Sequence, residues 1–378
     1  MKYIRFSIVP LLYLPLLIIA NLLGGWYPLL NFLFILVCYL VFDRITDSMQ
    51  NDEPTRFPFI LNGFMYLHIL LSFVAVASVC VTASDYHGLV LSKIMELTGI
   101  SLSELANPSL ISSVVAAVGT GFVISINMVV GHELTHRTLS KLDMFMGHVS
   151  LAIVGDSQFA ISHVHCHHKN IGTEEDAATA RRGENLYRFI LRSALGQHRE
   201  AWQFEKARLA RSSRSAFSFG NKLLPWYFVT LAIAACTFVL AGWMGVMLYL
   251  IIMLVSKANY ESTNYIQHYG LVRIPQTKVR PEHSWDCIAS YSSSALLNLT
   301  RHSDHHANPN KEYWLLGSTN ENMMIEHGYV VQMMKALVPG YWFRMMEDKL
   351  IYWEENYATD AERKVMATQR QNWRKQDV

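Results

Sequence analysis

Histidines are the residues of this sequence whose number and spacing best suit metal chemistry. The chain has 16 histidines in 378 residues, and nine of them fall into four stretches between residues 132 and 306. They are His132 and His136; His163, His167 and His168; His268; and His302, His305 and His306. Because imidazole suits iron, copper, zinc and nickel, these stretches predict a shared metal site whose metal the ligand type alone does not identify.

The spacing within each stretch supports this prediction. The two histidines of "GHELTHR" are four residues apart, which places both rings on one face of a helix. "SHVHCHHKN" has the pattern H-x3-HH and "RHSDHH" the pattern H-x2-HH. We expect the remaining histidine of the former, His165, to point elsewhere. "HELTH" also matches the letters of the zinc protease motif, but such a protease needs only three protein ligands.

Nine imidazoles are too many for one ion, which takes about four ligands in a typical zinc site. Two ions of about four or five ligands each fit better. Nearby carboxylates are candidates to orient the imidazoles by accepting a hydrogen bond from the ring N–H that faces away from the metal. These candidates are Glu133, Asp176, Glu261 and Asp304. Glu261 is favoured most, because it lies in an apolar segment where a carboxylate is costly unless it is paired.

Long apolar segments must position these histidines. Hydrophobic residues make up 51% of the chain and charged residues only 16%, and a membrane-spanning helix needs about 20 mostly apolar residues. Six blocks approach that length: residues 6–23, 26–42, 59–82, 109–131, 224–242 and 244–263. Backbone groups in lipid must pair within the chain, which favours helices. The predicted fold class is therefore an all-α integral membrane protein built on a six-helix transmembrane bundle.

Lysine and arginine placement predicts the orientation of this bundle. Basic residues are concentrated in residues 132–223 and are nearly absent from residues 83–108, and cytoplasmic loops carry the excess of positive residues. Both termini, the connection 43–58 and the histidines are then cytoplasmic. Residues 132–223 and 264–378 would form a cytoplasmic helical cap that holds the metal site, in one domain over residues 1–378.

Charge and cysteine content exclude other classes. The formal net charge is +2, so nothing in the composition indicates a nucleic-acid partner. The five cysteines contain no CxxC pair, which argues against a disulfide framework or a rubredoxin-type iron site within this chain. A metal transporter also places histidines in membrane helices, but such sites lie near the bilayer midplane, whereas these histidines follow the ends of the apolar blocks.

A metal site at a bundle of apolar helices suggests chemistry on a hydrophobic substrate drawn from the bilayer, and activation of O2 for such a substrate indicates redox iron. The basic run 181–214 has two interpretations. It docks an acidic electron donor by electrostatic steering, or it lies on anionic membrane lipid.

Four motifs of this sequence resemble those of the membrane-bound alkane monooxygenases. That family lies within the superfamily of integral-membrane fatty acid desaturases and hydroxylases. The four motifs are "HELTHR", "HVHCHH", "NYIQHYGL" and "LTRHSDHHANP". The resemblance extends over about residues 130–310 and includes "EDAATARRGENLYRF" at 175–189 and "PEHSW" at 281–285. "NYIQHYGL" and "RHSDHHA" are its specific signals.

This resemblance implies a non-heme di-iron centre with all nine histidines as iron ligands and O2 as co-substrate. It implies an alkane 1-monooxygenase of the bacterial inner membrane that hydroxylates the terminal methyl group of medium-chain n-alkanes to 1-alkanols. Electrons would come from a separate rubredoxin, or alternatively a ferredoxin-type donor, with an NADH-dependent reductase.

The chain departs from the alkane hydroxylase motifs at three positions: Thr135, Arg137 and Gln267. At these positions it resembles the hydroxylase component of xylene monooxygenase, so hydroxylation of arene methyl groups is the alternative function. A lipid desaturase or hydroxylase is a weaker alternative, because His163 stands one residue further from its doublet than the HxxHH box of desaturases requires.

Overall fold

The computed structural model describes residues 2–45, 55–101, 108–318 and 323–376. Within these ranges every regular element is a helix, and Asp286 forms an isolated β-bridge with Met324. The predicted all-α fold is confirmed for this part of the chain. The connection 43–58, expected on the cytoplasmic side, lies mostly outside the described residues.

The chain divides into two compact units. The first comprises Met1–Cys38, Pro54–Ser157 and Lys222–Asn259, and the second comprises Tyr39–Glu53, Gln158–Asn221 and Tyr260–Val378. The sequence predicts one domain that consists of a membrane bundle and a cytoplasmic cap. This organisation stays a prediction.

Helices of the first unit are long and apolar. Its elements are Lys2–Ile8, the π-helix Val9–Tyr13, Leu14–Leu23, Pro58–Thr82, His87–Thr98, Leu110–Ile124, Ile126–His136 and Lys141–Ile153, with most of Tyr27–Ile45 and of Leu224–His268. Five helical stretches of the described residues are long and apolar enough to cross a membrane: Lys2–Leu23, Tyr27–Ile45, Pro58–Thr82, Leu110–His136 and Leu224–His268. The first four coincide with the first four apolar blocks.

The last two blocks fall within Leu224–His268, which is interrupted. Ala241 and Gly242 have non-helical backbone angles, and Gly242 has φ 57°, a region that glycine adopts without steric cost. A Cβ on Gly245 would collide with the carbonyl oxygen of Thr237, although residues eight apart in a straight helix are about 12 Å apart. The chain therefore turns back at "AGWMG", as expected for a helical hairpin. The count of six spans stays a prediction.

Polar and small side chains join helices within the first unit. Asn21 is fully buried, and its Nδ2 donates to the hydroxyl of Ser78 at 3.1 Å and to that of Thr120 at 2.9 Å. The Ser256 hydroxyl donates to the carbonyl of Gly121 at 2.9 Å. The helices are close here, since a Cβ added to Gly121 would lie 2.8 Å from the Ile252 carbonyl oxygen. Close approach through small residues and interhelical hydrogen bonds is typical of membrane helix packing.

The second unit consists of shorter helices and connecting loops. Its elements are Phe159–Ile161, the π-helix Ser162–His167, His168–Asn170, Leu186–Ala210, the 3₁₀ turn Pro281–His283, Ser290–Ala295, His302–Ala307, the 3₁₀ turn Tyr313–Leu315, Tyr329–Ala336, Pro339–Asn356 and Asp360–Gln376, with the end of Leu224–His268. Buried aromatic and aliphatic residues form its core. Trp342 lies 5.6 Å, centroid to centroid, from both Tyr265 and Tyr269, so this core packs around the turn that carries His268.

Candidate metal centre

The motif "SHVHCHH" folds as a π-helix, and this explains its spacing. The backbone N–H of His168 bonds to the carbonyl of His163, five residues earlier, which is the π-helical pattern. In an α-helix a residue five positions on is rotated by about 140°, so His168 would point away from His163. The wider turn brings both His167 and His168 to the face of His163. π-Helical turns occur frequently at functional sites.

His165 lies on the other side of this turn. Its ring is exposed and stacks on Phe204, with ring centroids 4.5 Å apart and planes 3° from parallel. As expected from the sequence, it points elsewhere.

Residues His302–Ala307 form a short α-helix that carries the last motif. Positions i, i+3 and i+4 share one helix face, so His302, His305 and His306 point the same way and all three are buried. Asp286 holds the start of this helix. Its carboxylate accepts hydrogen bonds from the backbone N–H of Ser303 at 2.8 Å and from the Ser303 hydroxyl at 2.5 Å.

Four buried imidazoles of the second unit converge, and we call them the first histidine group: His167, His268, His302 and His306. The His302 Nε2 lies 3.0 Å from the Nε2 of His268 and 2.9 Å from that of His306. The Nε2 atoms of His167 and His306 are 3.3 Å apart. Nitrogens bound about 2.1 Å from one ion lie about 3 to 4 Å from each other, so this group fits a single metal ion.

Three further imidazoles of the same unit form the second histidine group: His163, His168 and His305. The His168 Nε2 lies 3.0 Å from the Nε2 of His163 and 3.2 Å from that of His305. Each histidine doublet is therefore divided. His167 and His306 belong to the first group, whereas their chain neighbours His168 and His305 belong to the second. Two adjacent ligand sets, each of which contains one histidine from each doublet, suit a pair of metal ions.

His132 and His136 lie in the first unit, on the helix Ile126–His136. Both are buried, and their ring centroids are 5.1 Å apart. The predicted helical spacing thus places both rings on one face of this helix.

Asp176 fixes the orientation of one ring in the first group. Its Oδ2 lies 2.9 Å from the Nδ1 of His167 and accepts a 2.6 Å hydrogen bond from the Thr179 hydroxyl. Burial alone would raise the pKa of Asp176, but the nearby His167 and these hydrogen bonds hold it below its usual value. An ionised Asp176 keeps the proton on Nδ1 and leaves the Nε2 lone pair directed at the group.

The other predicted carboxylates have different partners. Glu261 is fully buried and accepts hydrogen bonds from the side-chain amides of Gln197 at 2.8 Å and Asn264 at 3.3 Å. Glu133 forms an ion pair with Arg137 at 2.7 Å. Asp304, on the His302–Ala307 helix, forms an ion pair with Lys311 at 2.6 Å.

The surroundings of His306 favour the neutral form of its ring. Burial and the neighbouring imidazoles, first of all His302, hold the pKa of His306 well below its usual value. Neutral imidazole is the form that binds metal. Converging ring nitrogens, with His306 kept neutral and His167 oriented from behind by Asp176, are a donor set that suits a transition metal, so these residues fit a metal centre.

Sequence reasoning missed Asp286 and Glu200. Asp286 directly follows "PEHSW", and the only signal was an acid in an otherwise buried segment. Glu200 accepts a hydrogen bond from the Ala177 backbone N–H at 2.9 Å, and burial together with the Asp176 carboxylate raises its pKa to about 7. Glu200 is therefore a second titratable group behind the His167–Asp176 pair.

Similarity to known proteins agrees with this geometry. Residues 109–332, which include all nine histidines, match the model of the fatty acid desaturase family. Alkane 1-monooxygenase 2 of Alcanivorax borkumensis is 34% identical over 62% of this chain and 63% of its own length. The alkane 1-monooxygenase of Pseudomonas putida is 35% identical over 64% and 61%, respectively.

A more distant relative is the hydroxylase component of the xylene/toluene monooxygenase of Pseudomonas putida, which is 28% identical over 62% of this chain and 64% of its own length. The chain thus spans a little over three fifths of the length of these curated relatives.

Proposed function

The chain belongs to the fatty acid desaturase family, and we propose that it is an O2-dependent membrane monooxygenase that hydroxylates the terminal methyl group of medium-chain n-alkanes to 1-alkanols. The observation that carries the proposal is the pair of adjacent histidine groups with divided doublets. The relatives named as alkane 1-monooxygenases support the substrate class. The apolar helices support a hydrophobic substrate taken from the membrane.

The proposed cofactor is a pair of non-heme iron ions, with O2 as co-substrate. The first histidine group would hold one ion and the second group the other, and His132 and His136 are proposed as further iron ligands. When bound, the iron pair supplies the activation of O2 that inserts one oxygen atom into a C–H bond. Imidazole ligands alone do not distinguish iron from zinc or copper, so the metal is assigned by the redox chemistry that the reaction needs.

Residues of this chain would orient and tune that centre. Asp176 keeps the proton on Nδ1 of His167 and thereby raises the basicity of the ligand nitrogen. Asp286 fixes the helix that carries three ligands. Glu261 and Glu133 are proposed in supporting roles, with Gln197 and Arg137 as their hydrogen-bonding partners.

Electrons are proposed to come from a separate rubredoxin, or alternatively a ferredoxin-type protein, reduced by an NADH-dependent reductase. The proposed location is the bacterial inner membrane, with both termini and the metal centre in the cytoplasm. Arg208 is a poor candidate for docking the donor, because both its Nε and an Nη lie 2.7 Å from the carboxylate of Glu205, which is fully buried.

Product analysis under 18O2 tests the proposal. The full chain would be coexpressed with a rubredoxin and its reductase and given n-alkanes, xylene and a fatty acid together. We expect labelled 1-alkanols, and the His302→Ala variant should give none. An unlabelled olefinic product would instead indicate a desaturase, and metal-loaded protein without any labelled product would contradict the monooxygenase.

Labelled methylbenzyl alcohol as the main product would favour the arene alternative. One contact in the structure is relevant to the arene alternative. The side-chain amide of Gln267 is buried and donates to the Leu299 carbonyl at 3.1 Å, which an ionised glutamate at this position could not do. The departure from the alkane hydroxylase motif is therefore accommodated by a hydrogen bond close to His268, and the 28% identical xylene/toluene monooxygenase component keeps this substrate class open.

A further inference from the structure

Two large aromatic side chains stand exposed on a polar loop of the second unit. The loop "RSSRSAFSFG", residues 211–220, follows the helix Leu186–Ala210. Phe217 is 78% exposed and Phe219 is completely exposed. Exposing phenylalanine to water is unfavourable, so these rings indicate a surface that something apolar covers.

The loop is folded, and its fold presents the rings. The Arg208 guanidinium donates to the Gly220 carbonyl at 2.6 Å, and the Asn221 amide donates to the Ala216 carbonyl at 2.7 Å. The Phe217 ring packs against Trp202, with centroids 5.3 Å apart. Phe219 is therefore held at the tip of an ordered loop.

Positive charge surrounds the aromatic tip. Arg211 and Arg214 lie on the loop and are exposed, and Lys206 is exposed one helical turn before it. Arg208 differs from them, since its charge is matched by Glu205. The loop thus offers two phenylalanines beside cations, without an acidic residue between positions 206 and 220.

Chain connectivity limits where the loop can lie. The apolar helix Leu224–His268 begins four residues after Gly220, and four residues span at most about 14 Å. The interfacial zone on each side of the hydrocarbon core is about 5 to 8 Å thick. A loop so close to the start of a membrane-spanning helix is within reach of the headgroups and of the acyl boundary.

We propose that residues 211–220 form a membrane-interface anchor in which Phe217 and Phe219 insert at the acyl boundary and Arg211 and Arg214 bind anionic phospholipid headgroups. Phenylalanine buried at the acyl boundary and cations facing anionic lipid are each favourable. For residues 211–214, the end of the basic run 181–214, this proposal favours membrane lipid over an electron donor as the binding partner. An electron-donor protein that covers the same loop is the competing occupant.

Depth measurement at position 219 tests this anchor directly. A nitroxide would be attached to the Phe219→Cys variant of the full chain, in which the exposed Cys236 is replaced by serine. The protein would be placed in bilayer nanodiscs of phosphatidylcholine with phosphatidylglycerol. Collision of the label with apolar O2 is compared with its collision with a water-soluble nickel chelate. The control label is at Asp360, whose side chain is 96% exposed.

We expect the label at 219 to collide mainly with O2 and the label at 360 mainly with the nickel chelate. The Arg211→Gln, Arg214→Gln double variant should lose about fivefold per arginine in its preference for phosphatidylglycerol over phosphatidylcholine. Lys364→Gln, which removes an exposed cation elsewhere, should lose none. Equal nickel access at 219 and 360 would overturn the proposal. Nickel access at 219 that only added rubredoxin removes would assign the loop to donor docking instead. None of these readouts needs turnover, so they are independent of the proposed reaction.

Discussion

The carboxylate of Asp176 lies 2.9 Å from Nδ1 of His167, on the side of the ring opposite to the first histidine group. The Nε2 of the same ring is 3.3 Å from the Nε2 of His306. One imidazole is thus held from behind by a buried anion and directed forward into a set of four. This carboxylate–imidazole arrangement is typical of metal ligands in proteins.

Replacing Asp176 by alanine should weaken metal binding by about 10 to 100-fold, because the orienting partner of His167 is lost. Asparagine should lose less, since its carbonyl still accepts a hydrogen bond from Nδ1. The measurement is the metal retained per chain during titration with a chelator. The control is Glu175→Gln, a neighbouring acid that is exposed. Equal retention by Asp176→Ala and the control would contradict this role.

Asp286 should act as a hydrogen-bond acceptor rather than as a charge. Asp286→Asn still accepts a hydrogen bond from the Ser303 backbone N–H and should keep the metal, whereas Asp286→Ala leaves buried donors unpaired, which costs about 1 to 3 kcal/mol. Metal content and thermal midpoint in detergent measure the difference. Loss of metal in the asparagine variant would show that the charge is required.

The same residue predicts a pH dependence. Burial raises the pKa of Asp286 to about 7 from its usual 3.8, so between these values the folded chain holds a proton that the unfolded chain has released. Stability from this group therefore falls as pH rises from about 4 to 7. Thermal midpoints of the wild type should fall relative to Asp286→Asn over this range, and parallel curves would exclude the effect.

Glu362 should stabilise the C-terminal helix Asp360–Gln376. Its carboxylate lies 2.8 Å from Arg280 Nη2 and 3.1 Å from His283 Nε2. Burial opposes ionisation, but the hydrogen bonds from His283 and Thr359 outweigh it and lower the pKa of Glu362 to about 2 from 4.5. The stabilisation is complete above pH 4.5 and is lost as pH falls towards 2.

Glu362→Gln should therefore lower the thermal midpoint at pH 7, by an amount equivalent to about 1 to 3 kcal/mol, and the difference from wild type should shrink as the medium is acidified. Asp360→Asn, at the exposed start of the same helix, serves as the control. A difference that does not change with pH would contradict the ionic origin of the effect.

The π-helical turn makes a separate prediction for its histidines. His168→Ala should reduce bound metal, because His168 faces His163 and His305. His165→Ala should leave the metal unchanged, since this ring stacks on Phe204. The measurement is the metal content of both purified variants, whose substitutions are only three residues apart. Equal loss of metal in the two variants would contradict the π-helical arrangement of these histidines.

The sequence supports the helices and the choice of histidines because both depend on local pattern. Apolar block length predicts the four helices up to His136, and "AGWMG" predicts the turn at Gly242. The division of the doublets could not be predicted. It depends on a π-helical turn that brings His168 to the face of His163, and the spacing H-x3-HH does not distinguish this turn from an α-helical one.

Contacts between residues far apart in the sequence could not be predicted from local sequence patterns either. Asp286 acts on Ser303 across 17 residues of chain, and no local propensity signals such a contact. Asp176 was a candidate only because it lies near the motifs, whereas the 2.9 Å contact with His167 gives it a specific partner. Glu261 was favoured from its place in an apolar segment, and its amide partner Gln197 comes from a helix 64 residues away in sequence.

Iron content per chain, measured by elemental analysis together with Mössbauer spectroscopy, tests the central claim most directly. The chain would be expressed with 57Fe, and wild type would be compared with His305→Ala and His306→Ala. The divided doublets predict two irons in the wild type, and preferential loss of a different iron in each variant, with distinct remaining spectra. A single iron in the wild type, or the same remaining spectrum in both variants, would contradict a two-metal centre built from these histidines.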